Sequence, residues 1–211
     1  MKLNIPFYPN DGDGKQCFQA CMRSILNYYE LPDKTLQELD ATSGRHRNEW
    51  TWTPQVIYAL HQLGINSTYY TQSDLRQALD VKKYIREQFG KQATKYLQLT
   101  NVDSVQTSTK WVITSKRYEE RAVPKEEIIA WLDKKQPVIA LLDWNVITRQ
   151  EKSYQGHAVV ITGYDEKHFF VHHNGPTNAQ AHLPITYKNF FEAQTPPTDH
   201  DLIHVQGIKS C

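Results

Sequence analysis

The chain has 211 residues, a length suited to one domain or a domain with an insertion, and carries 24 Lys and Arg against 23 Asp and Glu. The near balance of charge and the lack of a long basic block exclude nucleic acid as an expected partner. A hydrophobic share of 39% supplies a core, the many Trp, Tyr and Phe oppose disorder, and no apolar run approaches the length of a membrane span.

The opening residues Met1–Pro6 lack the apolar centre of a signal peptide, so the expectation is a soluble, cytoplasmic protein. Three cysteines without a secretion signal suggest reduced thiols. Cys17 and Cys21 sit one helical turn apart, a poor geometry for a disulfide, and Cys211 is terminal and expected to be mobile.

Residues Leu3–Tyr8 read as a short strand or extended arm, followed by a Gly- and Asp-rich loop up to Gly14. A helix is predicted from Cys17, with Ala20, Cys21, Ser24, Ile25 and Tyr28 at helical spacing and Pro32 limiting its end. A short helix follows at Thr35–Leu39, then a polar loop at Ser43–Glu49. Thr53–Leu63 has Thr53 as N-cap, Pro54 at the first helical position and Gly64 just past the end.

Ile65–Tyr70 suits a strand, Ser73–Leu99 is charged and helix-prone, and Thr100–Tyr118 is polar with a β-like centre at Trp111–Ile113. Pro124–Lys134 is a helix whose acidic first turn and basic end suit its dipole. Strands are predicted at Pro137–Ile147, His157–Tyr164 and His168–His173, a helix or turn around Phe190 and Phe191, and a last strand at Asp201–Ile208. The charge cluster Lys116–Arg121 reads as a solvated face. Helices first and strands later favour an α+β fold.

Two consecutive late strands carry chemistry. A simple hairpin centred between Asp165 and Glu166 sets Tyr164 opposite Lys167 and His157 opposite Asn174. An imidazole beside a side-chain amide is held in one tautomer, as a general base requires. A one-residue bulge shifts the partner of His157 to His173 or Gly175. Cys17 follows a Gly-containing loop and opens a helix, where unpaired N–H groups and the helix dipole favour a thiolate. Thiol, imidazole and amide are the parts of a cysteine nucleophile with its base and orienting group. The oxyanion would take the Cys17 N–H and a side-chain amide, with Asn10 and Gln16 as candidates.

Blander readings compete with each of these. A histidine at a strand end is commonly just exposed, and a lone cysteine is commonly a small buried apolar residue, the preferred reading of Cys21. Cys17, Cys21, His157, His172 and His173 could compose a mixed zinc site, but the cysteine spacing with no second pair is a weak zinc signal. No metal or other cofactor is therefore assigned. Trp50 and Trp52 alternate and could line a peptide groove with Tyr58, although packing is the favoured reading. Trp144 ends a strand that could neighbour the His157 strand and wall the site.

Taken together, the segments resemble the papain-like cysteine peptidases of the bacteriocin-processing type, the leader-cleaving domains of bacterial exporters and their stand-alone relatives. The resemblance rests on the arm Ile5–Asn10, the helix start Cys17-Phe18-Gln19-Ala20-Cys21, the strand Gly156–Asp165 and the turn Asn174-Gly175-Pro176. It implies a papain-like fold, with an N-terminal helical part carrying the cysteine packed on a C-terminal antiparallel sheet carrying the histidine and asparagine. It implies Cys17 as nucleophile, His157 as base, Asn174 as orienting residue and Asn10 at the oxyanion position.

Phe18 replaces the family's Gly after the nucleophile, Asn10 is shorter than the family's Gln, and Gly175 intervenes before Pro176. The motifs leave about 65–120 unmatched, so residues 1–211 read as a single peptidase-type domain with an insertion there. No exporter membrane domain follows, which suits a stand-alone member. The expected function is a thiol hydrolase acting on a peptide or amide bond of a peptide or protein substrate. The alternatives are a catalytically impaired peptide-binding module on the same fold and an acyl transferase using the same three residues.

Overall fold

The computed structural model describes residues 1–150, 154–196 and 200–209. Cys211 lies outside the described residues. The first helix, α1 (Cys17–Tyr28), buries Phe18, Cys21, Met22, Ile25 and Leu26 along one stripe, as a 3.6-residue period dictates. α2 (Leu36–Ser43) opens on a capping box between Thr35 and Glu38 and closes on Gly44 in the left-handed region at φ 67°.

α3 (Thr53–Gln62) begins one residue earlier than the predicted cap implies. The residue before the helix is Trp52, whose N–H donates to Gln55 Oε1, while the Thr53 hydroxyl donates to Asp201 instead. β1 (Ile65–Thr71) follows.

The charged stretch after β1 forms two 3₁₀ turns and the helices α4 (Val81–Phe89) and α5 (Ala93–Gln98). α6 (Val102–Thr114) corrects the expected β-like centre at Trp111–Ile113. Asn101 caps its start by accepting from the Ser104 N–H, and Val105, Ser108, Thr109 and Val112 are buried at helical spacing. Tertiary packing of that stripe outweighs the β-branched run.

β2 (Tyr118–Glu120), α7 (Lys125–Asp133) and β3 (Val138–Asp143) come next. The strand predicted to reach Ile147 stops at Asp143, whose carboxylate accepts from the N–H groups of Asn145 and Gln155 and starts α8 (Trp144–Thr148). β4 (Gly156–Tyr164), β5 (His168–His173), β6 (Gln180–Thr186), α9 (Tyr187–Glu192) and β7 (Leu202–Ile208) complete the chain.

The strands form one seven-stranded sheet in the order β2-β1-β7-β3-β4-β5-β6. Among the described residues only β1 and β2 run parallel; the other neighbours are antiparallel. This is the expected α+β class, although β1 joins the C-terminal strands through β7 rather than standing apart. Central β3 and β4 are buried nearly throughout and read as continuous apolar runs.

One core cluster links α1, α3, α7 and the sheet, and a smaller one gathers Val81, Ile85, Ala93, Tyr96 and Val105 from α4, α5 and α6. The extended arm crosses the sheet, where the Leu3 N–H donates to the Thr162 carbonyl at 2.6 Å. Gly163 permits this approach, since a Cβ there would lie 2.3 Å from the Met1 carbonyl oxygen. Among the described residues no helix is long and apolar enough to cross a membrane.

Candidate active site

The hairpin between β4 and β5 decides which side chains meet His157. Asp165 Oδ1 accepts from the N–H groups of both Lys167 and His168, at 2.8 and 2.7 Å, which widens the turn and pairs Tyr164 with Phe169. The register then shifts between Ile161 and Gly163, so that Val160 pairs with His172 and Ile161 with Val171. Continued along the strands, this register sets Gly175 opposite His157 and Asn174 opposite Ala158. The simple-hairpin pairing of His157 with Asn174 is therefore not formed, because the Asx turn and the bulge together move it by one residue. Strand alternation puts His157 and His173 on one face and Asn174 on the other.

The contacts agree with this assignment. His157 Nε2 lies 3.0 Å from His173 Nδ1, and His173 Nε2 lies 2.9 Å from the Thr177 carbonyl oxygen. Trp144, at the start of α8, stacks on the His173 ring at 4.2 Å and meets the His157 ring edge-on at 4.8 Å. The tryptophan suggested as a wall thus covers both imidazoles. His157 and His173 are each only 6% exposed. Burial drives the His157 imidazole down to about 3, with the neighbouring His173 adding to the effect, and burial also lowers His173.

Asn174 faces α1. Its Nδ2 donates to the Cys17 carbonyl at 3.1 Å and reaches Cys21 Sγ at 3.4 Å, and its own carbonyl accepts from the Asn10 N–H. Gly175, at φ 98°, then turns the chain, a conformation that favours glycine.

Cys17 is the first residue of α1 and is partly exposed, while its sulfur sits in dense surroundings. Burial pushes its thiol up, and the N–H groups of Ala158, Phe18 and Cys17 itself pull it back, as does the Arg45 charge. The helix-start N–H groups thus act as expected on a thiolate but do not outweigh desolvation. The Ala158 N–H brings the thiol to the residue next to His157 on β4. Cys21 is fully buried, as its bland reading expects, and burial raises its thiol well above the usual range.

The two oxyanion candidates differ. Gln16 Nε2 donates to Asp40 at 2.7 Å and its Oε1 lies against Gly12, where a Cβ would come within 1.7 Å of it. Asn10 is 3% exposed, and neither its Oδ1 nor its Nδ2 has a hydrogen-bond partner among the described residues.

The loop before Cys17 is held by Arg45. Its guanidinium, with no exposed side-chain surface, binds the carboxylates of Asp13 and Asp40 and the Glu49 carbonyl. Trp50 and Trp52 pack into the smaller core, Trp50 against Tyr96 at 4.8 Å and Trp52 between Tyr84 and Phe89. A cleft of about 430 Å³ opens beside His173 and Trp144, lined also by Gln155, Thr177, Gln180 and Leu183; Cys17, His157 and Asn10 are not among its lining residues.

His173 entered the sequence reading only as a possible zinc ligand and as a bulge-shifted partner of His157, yet its ring is the one that meets His157. The signal for it is Asp165, whose side chain can widen the turn and so change the register. Among the described residues no group of three or more His, Cys, Asp or Glu side chains is placed to hold a metal ion.

The fold is similar to that of papain-like C39 peptidase domains. A putative C39-like peptidase from Bacillus anthracis superposes with a TM-score of 0.55 over 100% of both chains at 10% identity. The peptidase domain of Streptococcus ComA, a bifunctional ABC transporter of a quorum-sensing pathway, gives 0.54 over 98% of this chain and 100% of that one, at 13% identity. A double-glycine-motif protease from an AMS/PCAT transporter, solved with its leader peptide, gives 0.51 over 98% and 94%, at 12% identity. At such identities the likeness is one of fold. The profile of the family described as guanylylate cyclase matches residues 14–205, and the chain belongs to that family.

Proposed function

We propose that the protein is a thiol hydrolase of peptide or amide bonds, with Cys17 as nucleophile and His157 as general base. The observation that carries the reading is the pull of the Ala158 N–H on the Cys17 thiol, one residue from an imidazole whose Nε2 is engaged by His173. The neutral imidazole takes the thiol proton as sulfur attacks the carbonyl carbon. The resulting oxyanion is met by the Cys17 N–H and Asn10 Nδ2. Collapse breaks the C–N bond, the leaving amine takes the proton from His157, and a thioester remains. Water, deprotonated by His157, then releases the acid and restores the thiol.

Asn174, the orienting residue by resemblance, serves the nucleophile in this scheme by anchoring the Cys17 carbonyl. An amine or thiol acceptor in place of water would make the same site an acyl transferase. The absence of a long apolar helix among the described residues and the near-neutral charge agree with a soluble, cytoplasmic enzyme.

Labelling by a thiol-reactive peptide electrophile should vanish in Cys17→Ala and persist in Cys21→Ala. Equal labelling of wild type and Cys17→Ala refutes the reading. Labelling at Cys17 without turnover of any peptide library identifies a binding module instead. The family's description supplies a second reading, formation of a cyclic nucleotide from GTP. Cyclic GMP produced from GTP and Mg²⁺, and lost with a change at Trp144 or His173 in the cleft, would establish it over the hydrolase.

A further inference from the structure

We infer that His173 is the positioning residue for the base, a neutral imidazole holding His157 in the tautomer whose Nδ1 carries the free lone pair. The inference rests on the hydrolase reading for its catalytic meaning, but the pairing itself stands on geometry. A carbonyl oxygen only accepts, so the 2.9 Å contact to Thr177 places a proton on His173 Nε2. A neutral imidazole then presents a lone pair at Nδ1. That nitrogen is 3.0 Å from His157 Nε2, which must therefore be the donor. His157 Nδ1 is left without a proton, ready to receive one from a thiol.

The chain from Thr177 through His173 to His157 thus transmits one direction of hydrogen bonding to the base. Trp144 makes the arrangement rigid by stacking on one ring and bracing the other. The adjacent Asn174 does not meet His157: strand alternation turns it to the other face, where its Nδ2 reaches the Cys17 carbonyl and Cys21 Sγ. A histidine here sets the tautomer without placing a negative charge beside the imidazole, unlike a carboxylate.

The test uses nitrogen-15 NMR of the histidine rings in the full chain, with His173→Asn and His173→Leu as variants and thermal unfolding to confirm folding. Asparagine Oδ1 can replace His173 Nδ1 as acceptor; leucine cannot. Wild type and His173→Asn should show His157 protonated at Nε2, and His173→Leu should lose that fixed tautomer. His157 protonated at Nδ1 in the wild type overturns the inference, as does an unchanged tautomer in a folded His173→Leu.

Alkylation of Cys17 by iodoacetamide, localised by tandem mass spectrometry, gives the second readout. It should slow by about tenfold or more in His173→Leu and stay within about threefold in His173→Asn, as loss and retention of a held base predict. Equal slowing in both variants overturns the positioning role. The expected tautomers with alkylation insensitive to every change would uphold the pairing and refute the hydrolase reading.

Discussion

Asn10 contributes little that a structural residue would. It is buried, its side-chain donor and acceptor are both unpaired among the described residues, and only its backbone is tied down. An unpaired buried amide costs stability, of the order of 1–3 kcal/mol. Such a cost is more readily kept where the donor meets charge during a reaction. Asn10→Ala is therefore expected to lower kcat by about 100-fold with little change in KM, and to leave stability the same or higher. A matched rise in KM with kcat unchanged would assign Asn10 to ground-state binding. At this scale the sequence offered Cys17 and His157 as candidates, and Asn10 ahead of Gln16 by resemblance. That Asp40 engages the Gln16 amide was not legible, because it depends on a contact between α2 and the loop before α1.

Among the elements, the loop ahead of α1 depends on one cation. Arg45 joins Asp13 in that loop to Asp40 on α2, and Asp13 also accepts from the N–H groups of Lys15 and Asn48. Removing one partner of a buried ion network strands the others, at about 3–5 kcal/mol. Arg45→Met should cost that much in denaturant unfolding and slow Cys17 alkylation. A loss below about 1 kcal/mol would show that the carboxylates find other partners.

Element identity was legible where local signals agreed, as in α3 with Pro54 near its start and α7 with its acidic first turn. It was not legible at α6, where Trp111–Ile113 has strand-like composition but Val105 and Val112 pack at helical spacing. Nor was the β4–β5 register, because a side-chain turn at Asp165 and a bulge near Thr162 act below the resolution of hydrophobic alternation.

For the whole molecule, several histidines are folded away in neutral form. Burial lowers His157 to about 3, and His172 and His204 to about 4, from an ordinary value near 6.5. Between these values and about 6.5 the unfolded chain binds protons that the folded chain refuses. The stability they permit is fully present above about pH 6.5 and is lost as pH falls through that window. The Tm should decline steadily from pH 6.5 to 4, with a shallower decline in His204→Gln. A constant Tm from pH 7 to 5 would contradict these directions. The α+β class was readable from the order of elements. That β7 returns between β1 and β3 was not, because strand order depends on long-range pairing that no local pattern encodes.

Asn174 has one further consequence. Its side chain holds the first residue of α1, its carbonyl holds Asn10, and its backbone continues from His173. The proposed nucleophile Cys17, the proposed oxyanion donor Asn10 and the proposed support of the base, His173, are all measured from one shared reference point. A small drift of the turn after β5 would carry all three along and preserve their spacing, whereas a graft that moved the nucleophile loop alone would not. Transplanting this site onto a relative therefore requires two pieces of chain in concert, the stretch through Cys17 and the turn His173–Thr177.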